Sequence, residues 1–373
     1  MTVTFRTSLC DLLGIEYPVI QSGMGGVAGP DLVAEVSRAG GLGILAGVQV
    51  PPEDLRGMIR RVRELTDRPF GVNLLLHSEM RPPADVAAIP EDRIRAVQTL
   101  LNRFRERLGI PPTLTRPPAV PDLVDAAIQV ILGERAPVWS IGLGNPDGAI
   151  VRECHARGIK VMAMVATVED ARQVAASGVD TVVAQGSEAG GHRSTWVKRA
   201  SAGRALVGTM ALVPQVVDVV RVPVIAAGGL ADGRGLVAAL ALGASGILLG
   251  TRFVATRESA APEFWKKNLL ERDGEDTTVT DVFSGLYARA LRNTFSQEYA
   301  ASGAPVLPWL VQRGAANDIH VASLKQGTGD YYPMWAGQGT GLIHDLPGAA
   351  EVVEAIIREA RAVVADLPQR VAL

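Results

Sequence analysis

The sequence predicts an α/β protein: a (β/α)8 TIM barrel with a helical insertion after its third strand and a small helical lobe inserted after its eighth. Three observations carry that expectation. About eight short apolar runs recur along the 373 residues, each closing on glycine or a polar residue, and eight parallel strands are the number that closes such a barrel. Most of these runs precede a segment with apolar residues three and four apart, the pattern of crossover helices between parallel strands. The rhythm breaks at two places, each long enough to hold extra elements.

In chain order, strands are expected at Pro18–Gln21, Gly43–Ala46, Phe70–Leu74, Val138–Ile141, Lys160–Val165, Thr181–Gln185, Pro223–Ala227 and Gly246–Leu249. Helical spacing marks Asp31–Ala39, Pro52–Leu65, Asp147–Arg157, Val168–Ser177, Thr209–Val219 and Gly233–Leu242. Asp147, Thr167 and Asp232 are of the types that cap helix N-termini. The first interruption, Met80–Pro137, contains Pro111-Pro-Thr-Leu-Thr-Arg-Pro-Pro118 between helical segments and reads as a helical excursion. The second, Thr256–Tyr332, is expected to hold helices near Asp281–Arg292 and Pro308–Ala316, before a final helix, Pro347–Leu367, closes the barrel. Catalytic groups of barrels sit at the C-terminal ends of the strands, so a lobe launched there would cover the active face. The expected division is therefore a barrel of residues 1–255 and 336–373 and an inserted substrate lobe of residues 256–335.

Composition narrows the function. With 37 Lys and Arg against 39 Asp and Glu, and no basic run, neither nucleic acid nor an anionic membrane is an implied partner. Cys10 and Cys154 are too few for a disulfide framework or a structural zinc site. No metal site is expected. Residues Met1–Asp11 lack the apolar core of a signal peptide, and no apolar run approaches the length of a membrane span. A soluble, cytoplasmic protein acting on a small molecule is the expectation.

Glycine clusters locate the chemistry. Gly23-Met-Gly-Gly-Val-Ala28 fits a dinucleotide fingerprint, but that motif needs an acidic residue about 20 positions on, where Leu45-Ala46-Gly47 stand. Glycines also end the seventh and eighth strands, in Val224-Ile-Ala-Ala-Gly-Gly-Leu-Ala-Asp-Gly-Arg-Gly235 and Gly246-Ile-Leu-Leu-Gly-Thr-Arg-Phe253. In barrels these two loops commonly hold a phosphate, because bare backbone N–H groups and a helix N-terminus favour an anion. Gly228, Gly229, Gly250 and Thr251 are the candidates. After the sixth strand, Gln185-Gly-Ser-Glu-Ala-Gly-Gly-His192 places a histidine behind paired glycines, and imidazole exchanges protons near neutral pH.

These runs, in this order and spacing, resemble the nitronate monooxygenase family, formerly 2-nitropropane dioxygenases, which also contains flavin-dependent enoyl-acyl-carrier-protein reductases. The similarity extends to Gln21-Ser-Gly-Met24, Gly71-Val-Asn73, Gly142-Leu-Gly-Asn-Pro146, Met164-Val-Ala-Thr167 and Gly337-Gln-Gly-Thr-Gly341. The resemblance implies a barrel binding FMN non-covalently. It assigns cofactor contacts to Gly23, Met24, Asn73, Gln185, Gly190, Gly191, Ala227, Gly228, Gly229, Leu249, Gly250, Thr251, Gln338 and Gly339. Asn73 and Gln185 are amides suited to the polar pyrimidine edge of a flavin. It makes His192 the base that takes a proton from a neutral nitroalkane, with O2 then taking part in forming a carbonyl compound and nitrite.

Departures from the family pattern are Gly23, where proline often stands, and Arg193-Ser194 after the histidine. Arg193 suits an anionic substrate or a nicotinamide phosphate, or is a solvated charge. Glu188 orients its loop or His192, or is solvated, and Tyr331 and Tyr332 either line the entrance or pack. Ser140 and Cys154 read as structural, and His77, His155, His320 and His344 have no comparable context. Two alternatives accompany the nitronate reading: an NAD(P)H-dependent reductase of enoyl thioesters or quinones on the same flavin, and a barrel binding a phosphorylated metabolite without redox chemistry. A homodimer is compatible with each.

Overall fold

The computed structural model describes residues 4–77, 81, 84–196 and 205–371; Met1, Met80 and Leu373, which bound segments expected above, lie outside the described residues. The strands are β1 Val19–Gln21, β2 Gly43–Ala46, β3 Phe70–Leu75, β4 Val138–Gly142, β5 Lys160–Val165, β6 Thr181–Gln185, β7 Gly191–His192, β8 Val224–Ala227, β9 Gly246–Leu249, β10 Thr277–Thr280 and β11 Ala288–Leu291. Eight of them form one parallel sheet in the order β1-β9-β8-β6-β5-β4-β3-β2. Its two ends meet, since Gln21 N–H donates to Leu42 O at 2.9 Å and Leu42 N–H to Val19 O at 3.0 Å. The result is the (β/α)8 barrel.

Strand parity explains both layers of the core. Val182, Ala184, Val224, Ala226 and Ile247 face the surrounding helices, whereas Ile20, Ile44, Met162, Val183, Ile225 and Leu248 face the barrel interior. The helix Ser8–Leu13 packs Leu9, Cys10 and Leu13 among those interior residues, and Thr7 Oγ1 donates to Ser245 O just before β9. That closes the N-terminal end of the barrel. The same alternation turns Asn73, Ser140, Met164, Gln185 and Ala227 inward at the opposite end, where the site must form.

The crossover helices follow their expected spans closely, at Pro30–Arg38, Pro52–Leu65, Gly148–Ala156, Val168–Ala176, Thr209–Val219 and Gly233–Ala241. Asp147 accepts from Ala149 N–H, Thr167 from Asp170 N–H, and Asp232 from Arg234 and Gly235 N–H, caps worth about 1 kcal/mol each. The final helix, Ala349–Arg370, packs against both Gly233–Ala241 and Pro30–Arg38, joining the last helix of the ring to the first.

The two interruptions meet each other. In the first, helix Val124–Glu134 returns to the barrel core, while helix Glu91–Leu108 sets Ile94, Val97, Leu101 and Phe104 against Phe283, Phe295 and Ile319 of the second. The buried Arg105 guanidinium joins them, donating to both Asp318 carboxylate oxygens at 2.7 and 3.2 Å and to Ala315 O at 2.8 Å.

The second interruption departs from expectation. No helix spans 281–292: Ala288–Leu291 is β11, antiparallel to β10 and, on its other edge, to β7. All four of its residues are buried, so the strand lacks the alternation that marks a half-exposed one. Pairing on both edges overrides the helical leaning of Ala-Arg-Ala-Leu. Helices Glu263–Glu271, Thr294–Ser302, Val311–Ala315 and Asn317–Lys325 make up the rest, the third falling within the expected Pro308–Ala316.

Candidate active site

A cavity of about 440 Å3 opens at the C-terminal end of the barrel, within the roughly 300–1,000 Å3 of small-molecule sites. Strand ends make its floor, with Asn73, Met164, Gln185 and Ala227, and the lobe makes its roof, with Phe283, Trp309, Arg313 and Trp335. Gly23, Met24, Gly190, Gly191, His192, Gly228, Gly229, Leu249, Gly250, Thr251 and Gly339 also line it. Of the residues singled out from the sequence, Gln338 is not in this wall. Its N–H donates to Glu188 O at 2.8 Å, and it lines an adjacent depression of about 330 Å3 with Glu188 and Thr209.

Backbone geometry concentrates here. Gly228 and Gly229 adopt φ of +110° and +71°, a region L side chains rarely enter. Both glycines line the cavity together with Gly250 and Thr251. A Cβ on Gly250 would meet nothing nearer than the Met24 sulfur at 3.6 Å, so that face is open to a ligand. The chain crosses itself at Gly190 and Gly337, where a Cβ on Gly190 would lie 2.6 Å from Gly337 N. Gly337 N–H also donates to Thr251 Oγ1 at 2.9 Å. Of the five described non-glycine residues with positive φ, Arg135 ends helix Val124–Glu134, while four lie at or beside this rim: Leu143 lines the cavity, Gln49 and Leu310 follow the lining residues Val48 and Trp309, and the His77 ring lies 4.6 Å from that of Trp309. Strained backbone of this kind gathers at functional sites.

The two amides are held in place. Asn73 Nδ2 donates to Ser140 Oγ at 3.1 Å, so Ser140 orients a cavity residue. Gln185 bridges to the histidine segment: its Nε2 donates to His192 O at 2.9 Å and its Oε1 accepts from Ser194 N–H at 2.8 Å. Glu188 caps the helix Thr209–Val219, accepting from Thr209 N–H and Oγ1, and so ties the glycine loop down. It is not a solvated charge.

His192 stands on β7, paired with Ala288 of the lobe. Its Nε2 lies 2.9 Å from Ser284 Oγ, and its ring meets Trp309 edge-on at 5.1 Å and Trp335 at 5.3 Å. Burial pushes its pKa down to about 3, with electrostatic interactions with His77 and the Arg313 cation acting in the same direction. His192 also lines the cavity. The imidazole is therefore neutral at pH 7.

Arg193 has no place in this wall. It is buried against backbone, donating to Gln185 O at 2.8 Å and Ala205 O at 3.2 Å, and burial pushes its pKa down to about 10. Tyr332 lines the cavity, while Tyr331 packs on Phe104 at 5.6 Å. Sequence reasoning missed Ser284, Phe283, Trp309, Trp335, Arg313 and His320, and gave His77 no context. One signal was available: three of the five tryptophans, Trp265, Trp309 and Trp335, fall in the lobe segment and all three line the cavity. Among the described residues no cluster of His, Cys, Asp or Glu could hold a metal, and no helix is long and apolar enough to cross a membrane.

A closed β/α barrel with glycine-rich loops beside a half-buried, neutral imidazole defines the molecule as a barrel enzyme. The sequence profile of the nitronate monooxygenase family matches residues 6–359. A nitronate monooxygenase of Pseudomonas aeruginosa is 41% identical over 354 residues, 94% of this chain and 98% of that protein. A probable nitronate monooxygenase of Staphylococcus saprophyticus is 34% identical over 96% of this chain and 98% of its own length. Among solved structures, a nitroalkane oxidase from Streptomyces ansochromogenes superposes with a TM-score of 0.86 at 33% identity, over 96% of this chain and 99% of that one. FabK from Thermotoga maritima superposes with a TM-score of 0.76 at 33% identity, over 98% and 99%. The chain belongs to the nitronate monooxygenase family, a flavin-dependent family of oxidoreductases.

Proposed function

We propose that this protein is an FMN-dependent nitronate monooxygenase, oxidising alkyl nitronates and nitroalkanes with O2 to carbonyl compounds and nitrite. The observation that supports it best is the neutral His192, fixed by Ser284 and two tryptophans in the same cavity as the glycine cradle. The cradle suits FMN: Gly228, Gly229, Gly250 and Thr251 for its phosphate, Asn73 and Gln185 for its polar edge, and Gly23, Met24, Gly190, Gly191, Ala227, Leu249 and Gly339 around them. Gln338, facing the neighbouring depression, would act through its backbone bond to Glu188. Residues 1–255 and 336–373 would hold the cofactor, and residues 256–335 would cover the substrate. Free, buried Cys10 and Cys154 suit the reducing cytoplasm, where we place the protein.

FMN, when bound, supplies the ring that accepts electrons from the nitronate. For a neutral nitroalkane, His192 takes the proton from the carbon beside the nitro group, and the C–H electron pair remains on the substrate as the nitronate. The Ser284 hydroxyl has an acceptor of its own in Leu286 O at 3.2 Å. It can thus accept from a protonated Nε2 or donate to a bare one, and it steadies the ring in both states. A preformed nitronate needs no base.

FabK, similar over nearly the whole chain, favours a second reading in which NAD(P)H reduces the flavin and an enoyl thioester or quinone reoxidises it. Anaerobic mixing of the purified protein separates the two. Bleaching of the flavin spectrum by propyl nitronate is expected; rapid bleaching by NAD(P)H with none by the nitronate would overturn the proposal. A colourless protein that takes up no FMN would overturn the cofactor.

A further inference from the structure

The cavity has an uncompensated charge. Among its described lining residues there is no aspartate or glutamate, and Arg313 is the one lysine or arginine. His192 and His320, in the same wall, are both pushed down to about 3 by burial and add no charge at neutral pH. Arg313 stands on helix Val311–Ala315, exposed towards the mouth, and makes no hydrogen bond or ion pair with another described residue. The carboxylate of Asp318, on the next helix, is engaged by Arg105 at 2.7 Å. Other partly or fully buried arginines have partners: Arg252 pairs with Asp345 at 2.8 Å and Arg289 donates to Ser187 O at 2.9 Å.

A cation left without a protein partner, in the same wall as Trp309, Trp335 and Tyr332, raises the potential at the cavity mouth. The phosphate cradle belongs to the barrel loops, at Gly228–Gly229 and Gly250–Thr251, whereas Arg313 belongs to the roof. The group it can serve is therefore the substrate. A nitronate is a planar anion with its charge shared by two oxygens, matching the two-pronged N–H geometry of guanidinium. A neutral nitroalkane offers no such charge.

We propose that Arg313 is the specificity-determining residue of this cavity: its unpaired guanidinium receives the anionic oxygens of the substrate at the mouth, so that anionic nitronates are taken ahead of neutral nitroalkanes. This rests on the nitronate reading above. Because Arg313 is exposed and unpaired, Arg313→Gln leaves the fold nothing to lose.

The test uses the FMN-loaded enzyme and its R313Q and R313K variants. At low ionic strength R313Q is expected to lose about tenfold in kcat/KM for propyl nitronate, mostly through KM, and several-fold less for 1-nitropropane. The wild-type rate with nitronate should fall as salt is added, R313K should keep that dependence, and R313Q should flatten it. Nitrate, a planar anion that is not turned over, gives a readout free of catalysis: its Kd, followed by perturbation of the flavin absorbance, should rise about tenfold in R313Q. Equal losses on both substrates, an unchanged nitrate Kd, or a salt dependence that survives in R313Q would overturn the assignment. If the wild type fails to oxidise nitronates, the reading beneath it fails while the nitrate titration still reports on Arg313.

Discussion

The barrel and its cover differ in how far apart in sequence their partners lie. Around the barrel, β2, β3, β4 and β5 each pair with the strand next in the chain, and the helices Gly148–Ala156 and Val168–Ala176 are capped by Asp147 and Thr167 at their own termini. In the cover, Arg105 meets Asp318 across 213 positions, Phe104 meets Phe295 at 5.1 Å, and β7, two residues long, pairs with a strand nearly a hundred positions later. The difference is also one of task. The barrel presents backbone, in the form of glycine loops at fixed strand ends, and so suits a cofactor. The cover presents side chains, Phe283, Ser284, Trp309, Arg313 and Trp335, and so suits a ligand held above those loops. His192 joins them, carried on a barrel loop and held by the lobe.

The largest expected effect lies at that junction. His192→Asn should lower kcat/KM for neutral nitroalkanes by about 10²–10⁴-fold, with a much smaller loss on preformed nitronates. Equal losses on both would remove His192 as the base and reduce the junction to packing. Next, Arg105→Met should destabilise the cover by about 2–3 kcal/mol, the scale of lost hydrogen bonds to a charged group, while the barrel survives. Limited proteolysis with mass spectrometry should place new cleavages in residues 256–335 before any in the barrel; simultaneous loss of both would make the two regions one cooperative unit.

A smaller effect is expected in the barrel. Gly228→Ala puts a Cβ 3.0 Å from Ala189 N at a φ of +110°, costing about 1–2 kcal/mol and weakening FMN binding measured by fluorescence titration. Undiminished flavin affinity would argue against the cradle. The smallest effect is electrostatic. Burial lowers the pKa values of His77 to about 4 and of His192 and His320 to about 3. In the unfolded chain these imidazoles titrate near 6.5, so between that pH and about 3 the unfolded state binds more protons. Stability present above about pH 6.5 should be lost progressively as the pH falls through that window. The rate with neutral nitroalkanes should show no His192 inflection near 6.5. A Tm that rose on acidification over that window would contradict neutral burial of these three side chains, all of them in or against the cover.

Much of this was legible in the chain itself. Eight apolar runs, their crossover helices, the caps at Asp147, Thr167 and Asp232, and the glycine loops after the sixth, seventh and eighth parallel strands are local signals, each written in a few adjacent residues whose steric and hydrogen-bonding preferences act over one turn. Strand parity then fixes which of those residues face inward. The side chains around His192 were not legible in this way. Nothing near Ala288 announces a strand, because its hydrogen bonds come from β10 and β7. Nothing near Trp309 or Arg313 announces a cavity, because the cavity exists only once helix Glu91–Leu108 has packed under the lobe. Ser284 becomes a partner of His192 across 92 positions, and the loss of the imidazole's charge follows from the roof above it. The barrel and its glycine loops thus follow from local sequence, whereas the surroundings of His192 come from tertiary packing, since desolvation, charge pairing and aromatic contact depend on residues brought together from remote parts of the chain.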